Sequence, residues 1–179
     1  MEERFLDQEF QTITEDIITH PLFLQLRQLQ HHGGENNLYD HSVDTAACAY
    51  RMARRLHMRE DRVRAVTRAA LLHDFCGYDW RGGTYKRFIS GYSGLHRLKR
   101  MHAFIHGPLA ARRAQRLFDL DERQCAAIAC HMFPLAHMPR NSEAWVLTLA
   151  DKWVASREVS GAAVWYIRSW CRRKAAPAR

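Results

Sequence analysis

The sequence predicts a single all-α domain, a bundle of helices, and three observations carry that prediction. Apolar residues recur at three- and four-residue spacing, as in Val43, Ala46, Ala47 and Tyr50, and that period lines one face of a helix. The interruptions are helix breakers, Pro21 and the Gly33-Gly34 pair among them. The 179 residues are 47% hydrophobic and 26% charged, with no low-complexity tract, which suits one core of ordinary size.

A first amphipathic helix is expected over residues 5–19, ended by His20-Pro21. Pro21 can open a second, short helix at its first position, with Leu22, Phe23, Leu26 and Leu29 on it. Residues 33–37 form a loop. A third helix is expected over residues 40–57, with Val43, Ala46, Ala47, Tyr50, Met52 and Leu56 as its stripe. Asp61 reads as the N-cap of a fourth helix, which ends at His73-Asp74.

Residues 76–103 differ from their surroundings. They hold Gly77, Gly82, Gly83, Gly91 and Gly94, five of the nine glycines. They also hold Tyr78, Trp80, Tyr85 and Tyr92 with the cations Arg81, Lys86, Arg87, Arg97, Lys99 and Arg100. A mobile loop is expected, acting as a lid or a substrate-binding segment. Helices return over residues 107–118 and 121–131. Phe133-Pro134-Leu135 begins a loop that runs to Arg140. Two further helices are expected, over 142–158 and 161–171, and the basic tail 172–179 is expected to fray.

The net charge of +8 favours anionic ligands. The arginines are spread along helices rather than gathered, and no nucleic-acid motif accompanies them, so nucleic acid is not the favoured partner. No run of about 18 apolar residues is present, so no membrane span is expected. The opening Met1-Glu2-Glu3-Arg4 is not a secretory signal. Cys48, Cys76, Cys125, Cys130 and Cys171 are odd in number and lack CxxC spacing. They read as reduced core residues of a cytoplasmic protein.

The chemistry is expected where Asp74 follows His73 at the end of the apolar run Ala70-Leu71-Leu72. A carboxylate there needs a positive partner. His41, His106, His131 and Asp151 sit at helix-compatible positions on both sides, giving the order His, His-Asp, His, His, Asp. Imidazole and carboxylate together suit divalent transition metals such as Mn, Fe or Zn. Six groups exceed the needs of one tetrahedral ion, which points to two ions sharing a bridging carboxylate. His73 and Asp74 are neighbours whose side chains diverge by about 100° within a helix, so they converge on an ion only at a helix end. Asp74 has an oxygen for each ion. Of the remaining histidines among the eleven, only His102 competes for a ligand role, since it lies four residues before His106.

The segments Tyr39-Asp40-His41-Ser42-Val43, Ala70-Leu71-Leu72-His73-Asp74 and His106-Gly107-Pro108-Leu109-Ala110-Ala111 resemble, in this order, the HD superfamily of metal-dependent phosphohydrolases. Ala127-Ile128-Ala129-Cys130-His131-Met132 and Leu149-Ala150-Asp151-Lys152 continue the resemblance. It covers residues 40–158 of a single domain 1–179, and the stretch from His131 to Leu135 is similar to a small single-domain bacterial branch.

The resemblance implies an HD-type bundle in which His41, His73, Asp74 and Asp151 hold one ion. Asp74 would bridge to a second, held also by His106 and His131. Phe75-Cys76-Gly77 after the His-Asp pair departs from the Ile-Gly-Lys of one subgroup, and Gly107-Pro108 leaves His102 as an alternative to His106.

The implied activity is hydrolysis of a phosphomonoester or phosphodiester by a metal-activated water. The substrate would be a small phosphorylated metabolite, including a nucleotide. Lys152 and Arg140 are candidates for phosphate contact, and Tyr78, Trp80 or Tyr85 for stacking on a base. Two alternatives stay open: a mixed-valence di-iron oxygenase on the same six ligands, and a non-enzymatic module binding a nucleotide or nucleic acid.

Overall fold

The computed structural model describes residues 8–29 and 37–175, with side chains described as far as Ser160. The expected helix start at residue 5, most of the 33–37 loop, the side chain of Cys171 and the last four residues of the tail lie outside the described residues. The elements are α1 (Gln8–Ile18), α2 (Pro21–Leu24) running into a 3₁₀ turn (Gln25–Gln28), α3 (Leu38–Arg55) and α4 (Glu60–Leu72). Then come α5 (Gly83–Ser90), α6 (Gly94–Leu98), α7 (His102–Phe118), α8 (Glu122–Cys130) and α9 (Ser142–Ala175). The fold is all-α, and among the described residues no helix is long and apolar enough to cross a membrane.

The bundle is organised around α4, which packs against α1, α3, α7, α8 and α9. From Val66 onward the helix is buried on every side, which demands an almost wholly apolar run. Val63, Val66, Ala69, Ala70, Leu71 and Leu72 are accordingly completely buried. Leu71 and Leu72 each contribute about 1.5–3 kcal/mol by that burial. Small side chains let the other helices come close: Ala46, Ala49 and Ala53 on α3, Ala110 and Ala114 on α7, Ala127 on α8, all buried. The one cation in this part of α4, Arg68, is satisfied by Asp16 at 2.6 and 2.9 Å and by the Ile13 carbonyl at 3.1 Å, which docks α1. The chain therefore leaves the central helix at His73-Asp74 in the interior of the bundle.

Local chemistry fixes the ends that matter. Asn37 caps α3 by accepting from the Asp40 N–H at 2.9 Å, which sets the first turn that carries His41. Asp121 and Gln124 form a reciprocal capping box on α8. The Gln124 amide also donates to the Ala65 carbonyl at 3.2 Å, tying α8 to α4. At the far end of α8, His131 is the C-cap.

Several expected boundaries move. The second helix is a single α turn completed by a 3₁₀ turn. Arg59, not Asp61, is the N-cap of α4. Asp61 lies one residue inside, where its carboxylate faces the positive helix end and pairs with Arg59 at 3.1 Å. α7 starts at His102, five residues before the expected start. Gly107-Pro108 resembles a helix start because proline is favoured at the first position, yet packing carries the helix through it. The expected break at Gly161 is absent and α9 is one helix of 34 residues. An interior glycine costs a helix only about 1 kcal/mol. Residues 76–103 are not a bare loop, since they contain α5 and α6, neither of which has a buried residue.

Candidate metal centre

Five segments deliver the six predicted side chains to one place. His41 comes from the first turn of α3, His73 and Asp74 from the end of α4, and His106 from α7. His131 closes α8, and Asp151 lies within α9. The four imidazoles are buried. The two carboxylates are each 13% exposed, so they mark the side from which solvent reaches the cluster.

The donor atoms form two knots. In one, His41 Nε2 lies 3.3 Å from His73 Nε2 and 3.3 Å from Asp151 Oδ1, and His73 Nε2 lies 3.6 Å from that oxygen. In the other, His106 Nε2 lies 3.0 Å from His131 Nε2 and 3.2 Å from Asp74 Oδ1, with His131 Nε2 at 3.7 Å from Oδ1. Asp74 joins the two: its second oxygen, Oδ2, is 3.6 Å from His73 Nε2. The groupings His41–His73–Asp151 and His73–Asp74–His131 are each compact enough to hold an ion. His102 belongs to neither among the described residues.

The chemistry of this donor set fits divalent metal. Donors bound at about 2.0–2.2 Å to one ion stand roughly 3–3.5 Å from each other, which is the spacing found. The tautomers also agree. Nδ1–H of His73, His106 and His131 donates to the carbonyls of Ala70, His102 and Ile128, each at 2.7 Å. That leaves the Nε2 lone pairs pointing inward at each other, which requires a positive charge between them, a proton or a metal ion.

The electrostatics without metal follow the same logic. Burial opposes charge on His41, but Asp151 and Glu158 outweigh it and push its pKa up to about 10. At His106, burial is again outweighed, here by Asp74, and the pKa rises. Burial and the neighbouring His73 pull His131 down to about 4. Burial alone would raise Asp74 and Asp151, yet the surrounding imidazoles hold both well below the ordinary carboxylate range. The carboxylates thus favour positive charge at His41 and His106, and burial disfavours it at His131.

Of the two cations singled out in the sequence, only Lys152 is at the cluster, where its Nζ donates to the His131 carbonyl at 3.3 Å. Arg140 is exposed and lies two residues before α9. The start of α9 stands beside Arg62 at the other end of α4, with Ser142 Oγ 3.5 Å from Arg62 Nη1. Asp151 is nine residues further, roughly 14 Å along the helix, so Arg140 is remote from the six side chains.

Sequence reasoning missed Glu158, and it offered His102 as an alternative ligand and Tyr78 and Trp80 as base-stacking residues. Glu158 lies 3.2 Å from His41 Nδ1 through both carboxylate oxygens. Its signal was present, seven residues after Asp151 and so on the same helical face. His102 is a stacked neighbour of His106, with ring centroids 4.4 Å apart and planes 21° apart. Trp80 stacks on the other side of His102 at 5.1 Å and 15°, and the Tyr78 hydroxyl is 2.9 Å from His102 Nδ1. The aromatics of residues 76–103 thus brace the His106 side. The turn out of Asp74 also requires Gly77, whose φ is +83° and whose missing Cβ leaves room for the Arg113 guanidinium over the Phe75 ring.

The four thiols with described side chains, Cys48, Cys76, Cys125 and Cys130, are free. Burial raises each of their pKa values, so they are weak nucleophiles.

No curated protein and no solved structure matches the chain. A family model, described as the HD domain, matches residues 38–155, which spans α3 to the middle of α9 and includes all six clustered side chains. The chain belongs to the HD-domain family, a superfamily of metal-dependent hydrolases.

Proposed function

We propose that the protein is a phosphohydrolase that uses two divalent transition-metal ions to cleave a phosphomonoester or phosphodiester of a small anionic metabolite or nucleotide. The observation that supports this reading best is the placement of Asp74, with Oδ1 facing His106 and His131 and Oδ2 facing His73. In this reading His41, His73, Asp74 and Asp151 hold one ion, and Asp74, His106 and His131 the other. Ions bound there lower the pKa of a coordinated water and offset the charge that develops on phosphoryl oxygens. Four imidazoles and two carboxylates suit Mn, Fe or Zn.

The chain's own residues supply the rest. The backbone carbonyls that accept from Nδ1 keep three imidazoles in the tautomer that presents Nε2. Lys152 places a positive charge beside His131, where a phosphate oxygen can replace the carbonyl as its partner. The formal charge of +8 draws an anionic substrate toward the cluster.

The test is a panel of phosphomonoesters, phosphodiesters and nucleotides assayed for phosphate release by the Mn-loaded protein without oxygen, beside Asp74→Ala. Turnover lost in the variant supports the proposal. Turnover that needs iron and consumes oxygen would replace it with an oxygenase. Undiminished ligand binding by the metal-free variant would replace it with a binding module.

A further inference from the structure

Three of the four clustered imidazoles are oriented by neutral backbone carbonyls belonging to their own helices. His41 is the exception. It sits in the first turn of α3, and its Nδ1 meets a carboxylate instead of a carbonyl of its own helix. Its partner is the carboxylate of Glu158, which spans both oxygens at 3.2 Å and is only 9% exposed. Glu158 comes from α9, two turns beyond Asp151, and both acids face α3. The His41 ring is therefore held between two carboxylates of one helix, Nε2 toward Asp151 and Nδ1 toward Glu158.

A neutral acceptor is sufficient to fix a tautomer, as the other three rings show. A carboxylate adds negative charge behind the ring, and that makes Nε2 a stronger donor to a cation. Resting on the two-ion reading above, we propose that Glu158 is a positioning residue that makes the His41–His73–Asp151 position the tighter of the two. The consequence is an order of loading. The first ion binds on the α3–α9 side and stays. The second binds among Asp74, His106 and His131, where the acceptors behind the two imidazoles are neutral carbonyls, and it is the one that exchanges with solution.

The experiment is a Mn²⁺ titration, by competition with a chelating dye, of the chelator-stripped full chain and of Glu158→Gln and Glu158→Asp. Thermal unfolding in chelator reports whether each variant folds. The wild type is expected to bind two ions of unequal affinity. Glu158→Gln keeps an acceptor and loses the charge, and its tighter affinity is expected to fall about 10–100-fold while the weaker one stays within about threefold. Glu158→Asp keeps the charge at a shorter reach and is expected to fall in between, which provides the test if the Gln variant does not fold. A folded Gln variant with wild-type affinities overturns the proposal, and so does an equal loss at both positions. A wild-type chain that binds no Mn²⁺ overturns the two-ion reading itself, a result distinct from either.

Discussion

Gly107 stands at the contact of α7 with α8, beside His106 and opposite His131. A Cβ added there would lie 3.0 Å from the Ile128 carbonyl oxygen, 3.3 Å from that of Ala129 and 3.4 Å from His131 Cε1. An unstrained carbon–oxygen contact is about 3.3–3.6 Å, so in Gly107→Ala the Ile128 carbonyl must retreat by roughly 0.4 Å. That carbonyl accepts from His131 Nδ1 at 2.7 Å, so the displacement passes to the imidazole. Alanine gains about 1 kcal/mol of helix propensity over glycine, and overpacking of this kind costs about 1–3 kcal/mol.

The balance for Gly107→Ala is a net loss of about 1 kcal/mol. In a domain of this size it lowers Tm by about 2–4 °C. Affinity for the ion at the His131 side is expected to fall about tenfold, as when the support of a ligand is disturbed. Thermal unfolding in chelator measures the first effect and Mn²⁺ titration the second. A variant that gains stability and titrates like the wild type would show that the α7–α8 contact does not set the spacing of His106 and His131.

Other perturbations separate the ligands from the scaffold. His106→Ala is expected to leave a folded protein with about one ion per chain, and His102→Ala one with two; the opposite pattern in metal analysis would transfer the ligand role to His102. Asp121→Ala removes the capping box of α8 and should cost about 1 kcal/mol, read as a lower Tm with the metal content unchanged. Asp16→Asn keeps one acceptor for Arg68 but removes the charge and the second carboxylate oxygen of a pair whose acid is 56% exposed, and should cost up to about 1 kcal/mol at pH 7. Burial favours a raised pKa for Asp16, but Arg68 outweighs it and holds the carboxyl below its ordinary 3.8. Its contribution is therefore present above that value and lost as pH falls through the lower one. The gap between wild type and Asp16→Asn in a pH series of unfolding experiments should close in acid.

Much of this was legible in the sequence, for identifiable reasons. The helical period gave the all-α class, and the family match confirms the domain type. The six histidines and aspartates could be picked out together because all but His41 interrupt or end an apolar stretch, and the fold brings them within a few ångströms of one another. What escaped depended on partners from distant segments. Asp61 has an N-cap's chemistry, but packing starts α4 one residue before it. Pro108 has a helix start's chemistry, but α7 already runs through it from His102. Arg140 is near His131 in sequence, yet the loop between them carries it to the start of α9, nine residues and more before Asp151. Glu158 was overlooked because a glutamate late in an amphipathic helix usually faces water, and only α3 packed across α9 turns it toward His41.

The most direct test of the two-ion centre is the metal content per chain, by elemental analysis, of protein purified without chelator, beside Asp74→Ala. Near two equivalents of Mn, Fe or Zn in the wild type, with little or none retained by the variant, is the predicted result. A wild type that stays metal-free after reconstitution, or a variant that keeps both ions, would contradict it.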